Sequence, residues 1–157
     1  WETIRHDQPN DFTQMDRIRQ SIMVKLALVE QDEEDRHIRQ ALNFGHSIGH
    51  ALESASLQTK DPLLHGEAIA LGMETELRLS VQYQQLDPIV LEQYQLLRSR
   101  IYPGLHVNVP HDAVLDFLLH DKKNRDGVRM SLLSRPGQVE IGTAVRMEDI
   151  VKALEQT

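Results

Sequence analysis

Apolar side chains recur every three or four residues along much of the chain. In an α-helix, residues at this spacing share one face, so each such stripe predicts an amphipathic helix. Similar stripes predict helices over residues 39–57 and 65–83. They follow a first predicted helix that Asp11 caps and that has apolar positions at Met15, Ile18, Ile22, Leu26 and Val29.

Prolines and glycines mark the ends of the later helices. Asp87-Pro88 is a helix cap followed by a proline in the first turn, where proline is favoured. Pro103-Gly104 ends that helix, and Pro110 opens the next one. The further helices predicted in this way cover residues 88–101, 111–123 and 147–154.

Two short apolar runs near the C-terminus predict β structure. Residues 128–133 and 139–141 flank Pro136-Gly137, a typical turn, and so predict one hairpin. The predicted fold class is therefore mainly α: a multi-helix domain over residues 1–157 with one small β hairpin. The chain opens without an initiator methionine, and we expect it to be a fragment of a longer protein.

Composition narrows the possible classes of function. The chain has 157 residues, of which 40% are hydrophobic and 26% charged, as in ordinary globular proteins. Its net charge of −7 argues against a general nucleic-acid binder, and no apolar run approaches the roughly 20 residues of a membrane span. The absence of cysteine excludes disulfides and thiolate metal sites. We expect a cytoplasmic protein with neither a nucleic-acid nor a membrane partner.

The segment GHSIGH holds the first candidate site. His46 and His50 are four residues apart, which on one helix places their Cβ atoms roughly 5–6 Å apart. Both imidazoles can then reach one metal ion, or a metal ion and a polar substrate beside it. The helix of zinc proteases needs a glutamate after the first histidine, where this chain has Ser47. Because this spacing is common, purely structural histidines are the alternative.

A glycine precedes each of these histidines. If Gly45 and Gly49 lie inside a helix, each costs about 1 kcal/mol relative to alanine. We expect them to form a strip without side chains, where another backbone or a ligand can approach closely.

The next predicted helix opens with the segment HGE. Its His65 adds a possible metal ligand from a second helix. Imidazole and carboxylate ligands without sulfur suit zinc in an open, catalytic site. Glu53 and Glu67 each have two interpretations: a partner within this site, or a solvated residue on a helix face.

The few cations and amides near these segments are candidate substrate contacts. Lys25 lies in the apolar run IMVKLALV, where it is either a contact or a snorkelling lysine. Arg39 and Asn43 are expected on the same helix as the histidines, and arginine suits carboxylate or phosphate groups. Lys122 and Lys123 end a predicted helix, where they either contact an anion or offset the helix dipole.

Three segments, in this order, resemble the 3-dehydroquinate synthase family, which belongs to the sugar phosphate cyclases. They cover residues 21–53, 63–73 and 121–138, and they resemble the helical C-terminal domain of that family. The resemblance implies a carbon–oxygen lyase that converts 3-deoxy-arabino-heptulosonate 7-phosphate to 3-dehydroquinate and phosphate. This reaction belongs to the shikimate pathway of aromatic amino acid biosynthesis. The resemblance also implies a divalent metal, zinc or cobalt, and NAD bound by an N-terminal α/β domain.

The resemblance further implies a role for each motif residue. His46 and His65 correspond to metal ligands, and His50 and Lys25 to catalytic residues. The corresponding substrate-binding residues are Arg39, Asn43, Lys122 and Lys123.

The chain also departs from the family pattern. The family has a third metal ligand, a glutamate, well upstream of the Lys25 segment, and the spacing rules out Glu2. No glycine-rich phosphate loop follows a strand, so we expect no NAD site and no activity of this chain alone. The full-length enzyme is expected to form a homodimer. The alternatives are another sugar phosphate cyclase of aminocyclitol biosynthesis, a polyol dehydrogenase or a non-catalytic helical module.

Overall fold

The computed structural model describes residues 14–120 and 128–157, which form helices and one β hairpin. The predicted cap Asp11, the lysines Lys122 and Lys123 and the turn at 124–127 lie outside the described residues. Within the described ranges the elements are α1 (Met15–Gln31), a 3₁₀ segment (Ile38–Asn43), α2 (His46–Ser56), α3 (His65–Gln84), α4 (Pro88–Ile101), α5 (His111–His120), β1 (Val128–Arg135), β2 (Gln138–Val145) and α6 (Met147–Leu154). The mainly α fold class is confirmed.

The core joins α2 and α3 to the C-terminal elements. Its largest buried side chains are apolar and come from α2, α3, α5, β1 and α6: Ile48, Leu52, Leu71, Leu79, Leu118, Met130, Leu132, Ile150 and Leu154. Strands β1 and β2 pair antiparallel and are longer than predicted. The Leu133 amide donates to Ser80 Oγ at 3.0 Å, which anchors the hairpin on α3. Helices α2 and α3 are therefore held by the main core.

Helix α1 begins at Met15 with Gln14 as its N-cap, later than a cap at Asp11 predicts, and it does not bury its apolar stripe. Met15, Ile22 and Leu26 are 75%, 52% and 48% exposed, and no residue of α1 is buried. Among the helices that the structure describes, none has the length and apolar character of a membrane-spanning segment.

The prediction of one helix over residues 39–57 is wrong. The chain breaks between the 3₁₀ segment and α2, where Gly45 has a φ of +83°. Glycine adopts this left-handed conformation without the strain that a Cβ imposes. Arg39 and Asn43 therefore lie on a different element from the histidines, and Gly45 is the N-cap of α2 and not an interior residue.

The strip without side chains lets α3 approach α2. A Cβ on Gly72 of α3 would lie 2.6 Å from the Gly49 nitrogen, and one on Gly49 would lie 3.0 Å from the Ile69 Cα. Such distances leave no room for an additional carbon. The strip was expected to face either another backbone or a ligand. In the structure it faces the backbone of α3.

Candidate metal and substrate site

Three histidines meet where α2 and α3 begin. His46 is the first residue of α2, His50 lies one turn later, and His65 is the first residue of α3. Each offers a ring nitrogen, and these atoms all lie within 4.8 Å of one another. In residues 14–120 and 128–157, no other group of three or more acidic, histidine or cysteine side chains meets this criterion. Three ring nitrogens this close together could hold one metal ion.

Neighbouring acceptors orient two of the three imidazoles. His65 Nδ1 lies 3.0 Å from Glu53 Oε2, and His46 Nδ1 lies 3.3 Å from the Phe44 carbonyl oxygen. Because carboxylate and carbonyl oxygens act as acceptors, a neutral imidazole in either position carries its proton on Nδ1. The Nε2 lone pairs then remain for a ligand, as in protein sites where an outer partner fixes a metal-binding histidine.

The electrostatics of His46 favour its metal-binding form. Burial lowers the pKa of the His46 imidazole, the Phe44 carbonyl partly opposes this effect, and the nearby His50 and His65 lower the pKa further. A neutral imidazole is the form that binds a metal ion.

A polar cavity of about 700 Å³ lies beside the histidines. Its lining includes Asn43, His46, His50, Arg129 and Ser131. This volume falls within the range of small-molecule sites, roughly 300–1,000 Å³. The cavity can therefore hold a polar substrate in contact with two of the three histidines.

A more apolar groove of about 690 Å³ also reaches His46 and His65. Its other lining residues come mainly from α3 and α4, and they include Ile69, Met73 and Val90. The polar side chains that line the cavity suit a polar substrate, whereas the mainly apolar side chains that line this groove do not.

Comparison with known proteins decides the family. The family model for the C-terminal part of 3-dehydroquinate synthase matches residues 1–124. The chain belongs to the 3-dehydroquinate synthase family.

Curated relatives agree with this assignment. The 3-dehydroquinate synthase of Parabacteroides distasonis is 39% identical over 138 residues, which are 87% of this chain and 39% of that protein. The enzyme of the same name from Dehalococcoides mccartyi is 38% identical over 143 residues, 90% of this chain and 39% of that protein. This chain thus spans 39% of the length of each of these relatives.

Solved structures of sugar phosphate cyclases share the fold. A 2-deoxy-scyllo-inosose synthase complexed with carbaglucose-6-phosphate, NAD⁺ and Co²⁺ matches with a TM-score of 0.75 and 25% identity, over 86% of this chain and 40% of that one. A 2-epi-5-epi-valiolone synthase from Streptomyces hygroscopicus, with NAD⁺ and Zn²⁺ bound, matches with a TM-score of 0.74 and 24% identity, over 90% and 39%. The expected dehydroquinate synthase-like fold is confirmed.

The structure brings together some of the residues predicted for the site of this synthase-family chain. His46, His50 and His65 form the cluster, and Asn43 lines the polar cavity beside it. Glu53 is a hydrogen-bond partner of His65, which settles one open alternative. Glu67, the other glutamate with two interpretations, accepts a hydrogen bond from the Leu64 amide at 2.8 Å, so it caps α3.

Other predicted residues are not among those that line the cavity. Lys25 lies on α1, and the Arg39 guanidinium donates to the Glu33 carbonyl oxygen at 2.9 Å. Lys122 and Lys123 lie outside the described residues. The substrate-related roles of these four residues stay predictions.

The structure adds Arg129, which the sequence analysis missed. It projects from β1, lines the polar cavity, and donates through Nη1 to the Gly142 carbonyl oxygen at 3.0 Å. The signal in the sequence was a charged residue between two apolar residues of a predicted strand. Those two residues, Val128 and Met130, are buried in the core, and Arg129 is exposed.

Asp32 is a second residue that the sequence analysis did not single out. Its carboxylate accepts hydrogen bonds from the backbone amides of Arg36, His37 and Arg39 at 3.0, 2.7 and 3.1 Å. Burial alone would raise the pKa of Asp32, but these hydrogen bonds lower it overall. Asp32 thus shapes the turn that leads into the 3₁₀ segment.

Proposed function

We propose that this chain is the metal- and substrate-binding part of a 3-dehydroquinate synthase. The enzyme would convert 3-deoxy-arabino-heptulosonate 7-phosphate to 3-dehydroquinate and phosphate, a carbon–oxygen lyase reaction of the shikimate pathway. The observation that carries the proposal is the cluster of His46, His50 and His65 beside a polar cavity. Family membership supports the choice of reaction. The aminocyclitol alternative is less favoured, since the curated relatives carry the synthase name.

His46 and His65 are the proposed ligands of a divalent zinc or cobalt ion. Their donor set fits such an ion, because imidazole suits both metals and each Nδ1 already has an acceptor. When bound, the metal supplies Lewis-acid polarisation of a substrate oxygen. The glutamate that the resemblance implies as third ligand would come from outside this chain, as would the NAD site.

His50 is the proposed proton-transfer residue. It is exposed at the cavity and its ring centroid lies 5.3 Å from that of His46. A substrate hydroxyl held at the metal would therefore be within reach of its imidazole. Asn43 can hydrogen-bond hydroxyls, and Arg129 can pair with a carboxylate or phosphate group. The resemblance adds Lys25, Arg39, Lys122 and Lys123 as contacts.

Three further expectations stay predictions. This chain is expected to form one domain over residues 1–157, and the full-length enzyme is expected to be a cytoplasmic homodimer. The absence of activity for this chain by itself is part of the proposal.

A chimera tests the proposed reaction. This chain would replace the matching C-terminal 39% of the Parabacteroides distasonis synthase. We expect the chimera to release phosphate from 3-deoxy-arabino-heptulosonate 7-phosphate, and this chain alone to release none. His50→Ala should lower kcat of the chimera by about 10²–10⁴-fold, the usual contribution of general acid–base catalysis. Enzymatic detection of released phosphate provides the measurement.

Two results with the chimera, and one with this chain alone, would contradict this proposal. One is a folded chimera that binds zinc and NAD yet releases no phosphate from this substrate. The other is release from glucose 6-phosphate instead, which would favour a cyclase of aminocyclitol biosynthesis. A chain that binds no stoichiometric metal, and in which His46→Ala changes only stability, would favour a non-catalytic module.

Arg129 gives a separate prediction. In the chimera, Arg129→Gln should raise KM about tenfold with little change in kcat, because a charge-assisted hydrogen bond to a substrate anion is lost. Arg135→Gln is the matched control on the same strand, since Arg135 pairs with Gln138 Oε1 at 2.8 Å and does not line the cavity. Equal KM values for the two variants would remove Arg129 from the substrate site.

A further inference from the structure

A buried glutamate of α3 contacts the beginning of α2. The Glu76 side chain has no exposed surface, and its carboxyl oxygens accept hydrogen bonds from the Gly45 amide at 2.5 Å and the Ile48 amide at 3.4 Å. Burial raises the pKa of this carboxyl group to about 8, and the Gly45, Ile48 and Ser47 amides oppose the rise. These three amides flank His46, the first residue of α2.

The start of α2 has no cap of its own. The first amides of a helix have no acceptor within that helix, and they usually bond to the side chain of the N-cap residue. The N-cap here is Gly45, which has no side chain and whose conformation and contact with α3 require glycine. Glu76 therefore supplies, from 31 residues away, the acceptor that a serine or aspartate cap usually provides.

The cap determines where His46 points. As the first residue of α2, His46 lies within the turn whose amides Glu76 holds. The Phe44 carbonyl that orients its imidazole directly precedes Gly45. Rotation of this turn would move both the ring and its acceptor, whereas His65 on α3 would stay in place.

We propose that Glu76 is a positioning residue of the metal site, which fixes the first turn of α2 and thereby the direction of the His46 imidazole. This inference rests on the proposed function in one respect, the assignment of His46 as a ligand. Glu76 itself touches neither metal nor substrate.

The chain contains a matched control, Glu74. It is equally buried on the same helix, but it bonds to Arg98 Nε at 2.6 Å and Arg78 Nη2 at 2.9 Å, away from α2. Glu76→Gln replaces one acceptor oxygen with an amide that faces N–H donors. Glu74→Gln makes the same chemical change and loosens a different contact.

Two measurements on this chain test the proposal. In calorimetric zinc titrations, Glu76→Gln should weaken binding about 10–100-fold, the usual effect of losing an outer-shell partner, while Glu74→Gln stays within about twofold. In the metal-free chain, imidazole ¹H–¹⁵N spectra should show His46 signals that shift in Glu76→Gln and not in Glu74→Gln, with His106 as reference.

The two readouts separate this inference from the proposed function. Absence of zinc binding by the wild type would count against the metal site, while the metal-free spectra would still decide the role of Glu76. Unchanged His46 signals in a folded Glu76→Gln variant, or an equal response to Glu74→Gln, would overturn the inference. If Glu76→Gln does not fold, Glu76→Asp takes its place, because a carboxylate that reaches fewer amides should still shift His46.

Discussion

Replacing His46 with alanine is expected to weaken zinc binding by more than about 100-fold, because loss of an outer-shell partner alone costs 10–100-fold. The same loss is expected for His65→Ala. The two side chains come from different helices and lie at helix starts, so neither change empties the apolar core. Calorimetric titration of this chain with zinc, beside circular dichroism of each variant, provides the measurement.

His106→Ala is the control for this prediction. His106 is exposed and its Nδ1 lies 2.9 Å from the Gly104 carbonyl oxygen, so its loss removes an imidazole outside the cluster. Equal zinc affinities of the His46 and His106 variants would contradict the site. We expect His50→Ala to weaken binding less than either ligand change. A loss equal to that of His46→Ala would make His50 a ligand instead of a proton-transfer residue.

Local signals were sufficient to predict most helix bounds. Asp87 accepts a hydrogen bond from the Ile89 amide at 3.0 Å, and Pro88 begins α4, as the cap and proline indicated. Predicted helix 65–83 corresponds to α3 within one residue. Such signals act through contacts between residues close in sequence, so the sequence alone reveals them.

The break before α2 depends on a distant segment. The left-handed Gly45, the close approach of Gly72 and the cap from Glu76 all require α3 to be in place. Apolar periodicity across residues 39–57 carries no trace of these contacts, so it favoured one continuous helix. The displacement of Arg39 from the histidine helix has the same cause.

Part of the site was predictable because short spacing determined it. His46 and His50 are one turn apart, and the HGE segment placed His65 at a helix start. Arg129 reaches the cavity only through the pairing of β1 with β2 and the packing of the hairpin on α3. Contacts of this kind depend on tertiary structure, which the sequence pattern did not specify.

Gly72→Ala is expected to lower the free energy of unfolding by about 3 kcal/mol, the upper end of the usual effect of adding a carbon to a packed interior. The new Cβ would lie 2.6 Å from the Gly49 nitrogen and 3.0 Å from its Cα. These are backbone atoms, which cannot turn away as a flexible side chain would. Helices α2 and α3 must therefore separate, which also moves His46 away from His65. Urea unfolding followed by circular dichroism measures the stability.

Gly66→Ala makes the same change on the same helix, and it is the control. A Cβ there would meet only the Tyr102 hydroxyl, at 3.3 Å, which a side-chain adjustment can relieve. Because alanine favours a helix over glycine, this variant is expected to match the wild type or gain about 0.5–1 kcal/mol. Zinc affinity should fall with stability in Gly72→Ala and stay unchanged in Gly66→Ala. If both variants are as stable as the wild type, the close contact between α2 and α3 does not constrain the site.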